Sequence, residues 1–221
     1  VTEQASTASN SPQRAVEVEV FSDFCCPWCL IGGKNLDDAI ASLEGTLDIR
    51  TVHRAFELDL AAPADGVDIR QKLMEKHGVR AEDVWPSIES TARASGIDLN
   101  LSRQPMAYPT LGAHTLVRLA AGKGTARQLS RAIAEAYFLD GVSIADENIL
   151  ADIAARHGFT HDEAISLLRD PEALARTRAE AQESMRRGVR SVPTIVVAGK
   201  AALSSSQPVE QIRQALLERS T

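Results

Sequence analysis

Apolar and charged residues alternate from Val16 to Val20, and Phe21 extends the run. That period belongs to a strand. The spacing then changes. Leu30, Ile31, Leu36, Ala39, Ile40 and Leu43 fall near one helical stripe, and Pro27 suits a first helical turn, where its missing N–H is not needed. Gly45 ends that helix, and residues 47–56 read as a second strand. From about residue 61 helical spacing takes over. Helices are predicted over 68–77, 81–95, 111–121, 125–139, 146–157, 160–168 and 171–187, punctuated by glycines and prolines, with Asp146 and Thr160 as N-caps. At Val192 the pattern reverts. Residues 193–198 are β-branched and apolar, as a buried strand requires, and a turn, a short strand over 201–203 and a helix over 208–218 follow.

Strand, helix and strand, then a long helical block, then two strands and a helix describe an α/β chain with one mixed sheet and an inserted lobe. The expected division is a disordered tail over 1–14, a sheet domain assembled from 15–60 and 188–221, and an all-helical subdomain over 61–187. The first fifteen residues are small and polar, with no apolar centre of the kind a signal peptide carries. A cytoplasmic location is the resulting expectation. No apolar stretch approaches the ~18 residues of a membrane helix. Lys and Arg total 24 against 30 Asp and Glu, a net charge of -6. Without a basic run or interleaved aromatics, a nucleic-acid partner is not expected.

The cysteines sharpen the picture. The chain has three, Cys25, Cys26 and Cys29. Crosslinks within so short a window cannot organise a fold, and a chain of this length buries enough surface to need none. Cys26-Pro-Trp-Cys29 places C-x-x-C spacing at a strand-to-helix junction, the sequence setting of a redox-active thiol pair. Thiolate is the reactive species, and the unpaired N–H groups of a helix N-terminus favour it. Cys29, nearly one turn on, lies on the same side and can resolve a mixed disulfide formed on Cys26. Trp28 offers an apolar rim. A structural zinc site needs further ligands, and no other cysteine exists, so no metal is expected. Cys25 reads as a small buried hydrophobe.

Several segments together resemble the DsbA-like branch of the thioredoxin superfamily, and within it the FrnE-like subfamily. They are Ser22-Asp-Phe-Cys-Cys-Pro-Trp-Cys-Leu-Ile-Gly32, Gly112-Ala-His-Thr-Leu116, Glu135-Ala-Tyr-Phe-Leu-Asp-Gly141 with Ile144-Ala-Asp146, Arg190-Ser-Val-Pro-Thr194 and Ser204-Ser-Ser-Gln-Pro208. The resemblance implies a thioredoxin-like fold with a large helical insertion, and dithiol–disulfide oxidoreductase activity. It implies that Cys26 is the exposed nucleophile, Cys29 the resolving cysteine, and Val192-Pro193 a cis-proline dipeptide facing them. In such a loop the backbone before the proline can pair with an extended substrate. Pro27, Trp28, Val192 and Pro193 are thus the expected substrate-side residues. The chain departs from the pattern at Cys25, where the family has an apolar or small residue, and at Pro109 and Ser204-Ser-Ser206. It also lacks a histidine between the two cysteines, so a weaker oxidant is expected than relatives that carry one.

Asp23, three residues before Cys26, is placed either to tune a thiol or to close the turn. His114, on an apolar helix face, is either a core histidine or a substrate contact. The pair of thiols carries the electrons, so no cofactor is required, with glutathione as a candidate electron partner. Disulfide- or dithiol-bearing proteins or small molecules are the expected partners, and the oligomeric state is open. Two other readings stand beside this one. One is a glutathione-dependent isomerase or transferase of the 2-hydroxychromene-2-carboxylate isomerase or kappa-class type, which generally carries serine where Cys26 stands. The other is a chaperone-like module that holds chains in an apolar cleft around Trp28.

Overall fold

A computed structural model describes residues 15–204 and 207–219. The expected tail over 1–14, and Ser205 and Ser206 of the Ser-Ser-Gln-Pro segment, lie outside the described residues.

The first strand, β1 (Ala15–Ser22), is central, paired on both edges and buried along most of its second half. Val16, Val18 and Val20 point to one face and Phe21 to the other, as strand alternation dictates. The helix α1 (Pro27–Ala41) crosses from β1 to β2 (Asp48–Ala55), which lies parallel to β1 with Val20 opposite His53 and Phe21 opposite Arg54. On its other side β1 pairs antiparallel with β5 (Thr194–Val197), which pairs in turn with β6 (Lys200–Ser204). The sheet order is β2-β1-β5-β6. The valines of β1, Ile195 and Val197 of β5, Leu36 and Ile40 of α1 and Leu43 in the turn after it form one core, closed by Ile212 and Leu216 of α9 (Val209–Arg219).

Between β2 and β5 the chain forms α2 (Ile69–His77), α3 (Ala81–Ala94), α4 (Leu111–Ala120), α5 (Ala126–Phe138), α6 (Glu147–Ala155), α7 (His161–Leu168) and α8 (Pro171–Arg186). Asp146 and Thr160 cap α6 and α7 with their side chains, and Thr160 with Glu163 completes a capping box. This lobe is not wholly helical, as the sequence pattern had implied. Two short strands, β3 (Val67–Asp68) and β4 (Met106–Ala107), pair antiparallel within it. Ladders of two residues carry no readable alternation.

The lobe core is continuous with the start of α1. Phe24, Leu30 and Ile31 pack among Trp85, Leu116, Ile133, Tyr137 and their neighbours. On the opposite face of the sheet from α9, Phe21, Phe56 and Val189 form a third cluster with Met185 of α8. Glu19 would be a buried charge there. Arg54 holds it at 2.8 Å and the Arg187 guanidinium at the end of α8 holds it at 2.8 Å through Nη1, so a bridged pair replaces an isolated ion. The pairs tie β1 to β2 and to the end of α8.

Candidate active site

Cys26 is the N-cap of α1, and Pro27 occupies the first helical position. No side chain caps this end, so the first-turn N–H groups stand beside the cysteines. The Cys26 carbonyl accepts from Cys29 N at 2.9 Å. The resemblance implied an exposed nucleophile. The structure differs: Cys26 is only 5% exposed, because the loop before β5 lies over it. The Cys26 thiol donates to the Val192 carbonyl at 3.6 Å, and the Val192–Pro193 peptide bond is cis. Two loops far apart in sequence are brought together in this way by the pairing of β1 with β5.

Cys29 follows on the first turn of α1 and is half-buried. Its sulfur accepts from the Asp23 main-chain N–H at 3.5 Å. Burial, and then the neighbouring Cys26, push the Cys29 thiol well above an ordinary thiol's range. Cys25 points elsewhere. Its thiol donates to the Tyr108 carbonyl at 3.4 Å, and burial, followed by the charge of Asp23, pushes it up to about 12. Cys25 is half-buried and packs against the lobe core, as a small hydrophobe would. It also forms part of a cavity wall. All three cysteines are free thiols.

That cavity, of about 440 Å³, opens between the cysteine loop and the lobe. Cys26, Pro27, Trp28 and Val192 form its sheet-domain side. Trp85, Ile88, Leu73 and Tyr108 form much of the lobe side. The size suits a drug-sized molecule or an apolar side chain with its flanks. Lys72 reaches the rim and is tied to Asp59 at 2.7 Å.

Beneath the cysteines lies a polar cluster. Asp23, 3% exposed, accepts from the Leu58 N–H through Oδ2 at 2.7 Å, and its Oδ1 lies 3.5 Å from His114 Nε2. The separation is too long for a strong hydrogen bond, and neither atom has another protein partner. His114 is itself held by the Phe24 ring, 4.7 Å away between centroids. Asp23 thus bonds the loop after β2 through its carboxylate and the Cys29 sulfur through its main-chain N–H. His114 is a buried histidine facing Asp23 and is absent from the wall of the large cavity. His53 and Glu57 belong to the same region and were not singled out from the sequence. Desolvation pushes the His53 imidazole down to about 4 and raises the Glu57 carboxyl. β2 mixes polar and apolar residues along its length, so its pattern holds no signal that sets His53 apart. Among the described residues, no group of three or more His, Cys, Asp or Glu side chains is arranged to hold a metal ion.

The sequence model of the DSBA-like thioredoxin domain matches residues 17–217. The chain belongs to this family. The DSBA-like fold, with the helical lobe inserted between β2 and β5, accounts for the sheet and for the meeting of the cysteine and proline loops. A probable DsbA oxidoreductase from Streptomyces coelicolor is 30% identical, with a TM-score of 0.83 over 92% of this chain and 89% of that one. A 2-hydroxychromene-2-carboxylate isomerase shares the fold at 14% identity and a TM-score of 0.70, covering 91% of this chain and 95% of the other. So does the cytosolic disulfide reductase DsbM from Pseudomonas aeruginosa, solved with GSH, at 18% identity and a TM-score of 0.65, covering 91% and 98%. Among curated proteins nothing matches the chain. No helix among the described residues is long and apolar enough to cross a membrane.

Proposed function

We propose that this DSBA-like protein is a thiol–disulfide oxidoreductase whose redox couple is Cys26 and Cys29. One observation carries the reading: Cys26 caps α1 and its sulfur lies 3.6 Å from the Val192 carbonyl, so the thiol and the backbone before cis-Pro193 face the same cavity. Cys26, as the thiolate, attacks a substrate disulfide and forms a mixed disulfide. The leaving sulfur departs as a thiolate. Cys29, less than a turn away, then attacks Cys26, releases the second substrate sulfur and leaves the Cys26–Cys29 disulfide. The reverse sequence oxidises a substrate dithiol. The electrons travel on the sulfurs, and glutathione is the candidate partner that resets them. The narrower FrnE-like assignment rests on the five sequence segments.

The apolar cavity also favours a second reading, in which a small apolar molecule binds there with glutathione, as in an isomerase or transferase. The cysteine at position 26 argues for the redox reading first. The experiment is reduction of insulin disulfides and oxidation of a dithiol peptide by the purified protein. Activity in the unaltered chain, loss in Cys26→Ser, and a trapped mixed disulfide in Cys29→Ser are the expected results. No exchange in either direction by the unaltered chain would sink the reading.

A further inference from the structure

Among the described residues, buried side-chain nitrogens and oxygens without a protein hydrogen-bond partner occur on four residues: Asp23, His53, Glu57 and His114. Such atoms are costly and usually avoided. All four belong to one region, since His114 acts electrostatically on both His53 and Glu57, and Asp23 on Glu57. His53 is distinctive because both ring nitrogens lack a partner. It stands in the walls of two cavities. One, of about 180 Å³, is shared with Cys29, and the other, of about 10 Å³, is shared with His114. The first has room for several waters and the second for about one.

Cys29 must lose a proton to attack the mixed disulfide, yet burial holds its thiol protonated. The larger cavity offers few acceptors. On α1, Lys34 is paired with Asp38, and Asp37 is paired with Arg127 of α5. Arg131 and Glu135 of α5 pair with each other, and Asp98 is exposed at the mouth. Across the smaller cavity His53 meets His114 and Arg118 of α4, with Arg54 and Glu180 engaged to each other. His53 is therefore the buried, unengaged base in the wall that Cys29 shares.

We propose that His53 accepts the proton of Cys29, through water in the cavity they share, as Cys29 resolves the mixed disulfide. This rests on the redox reading above. The step balances: the Cys29 S–H bond breaks, a Cys29–Cys26 S–S bond forms, the substrate sulfur leaves with the electron pair of the old S–S bond, and the proton passes to the imidazole. Burial keeps the His53 ring neutral, so a nitrogen lone pair is free at neutral pH, and because the same burial disfavours the imidazolium the proton rests there only in transit. His53 also borders the smaller cavity, and from there the proton passes on toward His114.

The test mixes the reduced full chain rapidly with dithiobis(nitrobenzoate). The reagent's two coloured thiolates leave in turn, the first on attack by Cys26 and the second on resolution by Cys29, at a rate independent of reagent concentration. In the unaltered protein the second release is nearly constant between about pH 6 and pH 8, where attack by free thiolate alone would quicken about tenfold per pH unit. His53→Gln leaves the first release unchanged, slows the second roughly tenfold or more, and restores the steep pH dependence. His53→Gly behaves likewise and regains rate with added imidazole. An unchanged second release in His53→Gln, or equal slowing of both releases, overturns the proposal. Should neither variant fold, the pH profile of the unaltered protein decides, flat in support and steep against. If the unaltered protein gives no first release, or forms no Cys26–Cys29 disulfide, the redox reading fails and this proposal with it.

Discussion

Asp23 and His114 face each other at 3.5 Å with both side chains almost wholly out of solvent. The same aspartate holds the Leu58 N–H at 2.7 Å, and its own main-chain N–H holds the Cys29 sulfur. One residue thus ties the turn before α1 to the loop after β2 and to the resolving thiol. Replacing it separates these effects. Asp23→Ala strands the Leu58 N–H and is expected to cost about 1–3 kcal/mol of stability. Asp23→Asn keeps an acceptor for that N–H and costs less. Because the Asp23 charge pushes both Cys29 and Cys25 up, Asp23→Asn also lets Cys29 ionise at lower pH. Urea unfolding measures the first effect and the pH dependence of Cys29 alkylation, in a Cys26→Ser background, the second.

Cys25 is expected to stay out of the exchange. With its thiol pushed up to about 12 and donated to the Tyr108 carbonyl, it carries its proton at neutral pH. Iodoacetamide should label Cys26 well before Cys25 in the native protein, read by peptide mass spectrometry. Cys25→Ala should keep the exchange rate within about twofold. Early labelling of Cys25 would contradict its place in the structure.

Acid stability should carry the mark of His53. Its folded value of about 4 lies below the 6.5 of an ordinary histidine. The unfolded chain therefore binds the extra proton between those values, and stability falls as pH drops from about 6.5 to about 4, by on the order of 3 kcal/mol. Above pH 6.5 this contribution is complete and flat. In His53→Gln the slope over that interval should shrink. Denaturant midpoints taken across the interval for both proteins make the comparison.

Glu19 predicts a second, lower transition. The Arg187 side chain, outweighing the effect of burial and aided by Arg54, holds its carboxyl below the usual range. Its contribution is present above the unfolded value, ordinarily about 4.3 for glutamate, and is lost as pH falls through the depressed folded one. Arg187→Ala leaves Glu19 with Arg54 alone and, since Arg187 is partly exposed, should cost roughly 1–2 kcal/mol at neutral pH and less in acid. Thermal melts at two pH values show whether the difference narrows.

The helical lobe was legible because its punctuation is local. Asp146 and Thr160 cap where a side-chain oxygen precedes an apolar run, and Gly78 and Gly124 take the left-handed conformation that ends or turns a helix. The cysteine pair was legible because three residues of spacing on a helix fix two side chains on one side. The approach of Val192 to Cys26 came only from the family resemblance, since nothing near either residue encodes a partner so distant. The sequence reading missed His53 and Glu57 for another reason. β2 is an edge strand of the sheet, yet α4, α5 and α8 pack against it. Alternation along an edge strand cannot tell a solvent-facing histidine from one sealed under later helices. The burial of Cys26 escaped for the same cause, because its cover is the loop before β5.

The central pairing of β1 with β5 also bears on how the protein is made. The strand that completes the middle of the sheet is synthesised only after the whole helical lobe. Contacts so distant along the chain form late. Until residues near Thr194 leave the ribosome, the cysteine loop lacks the backbone that covers it. A nascent chain therefore presents Cys25, Cys26 and Cys29 uncovered to whatever oxidants and thiols surround it. Its first thiol chemistry is that of an unfinished polypeptide, before β5 has joined β1.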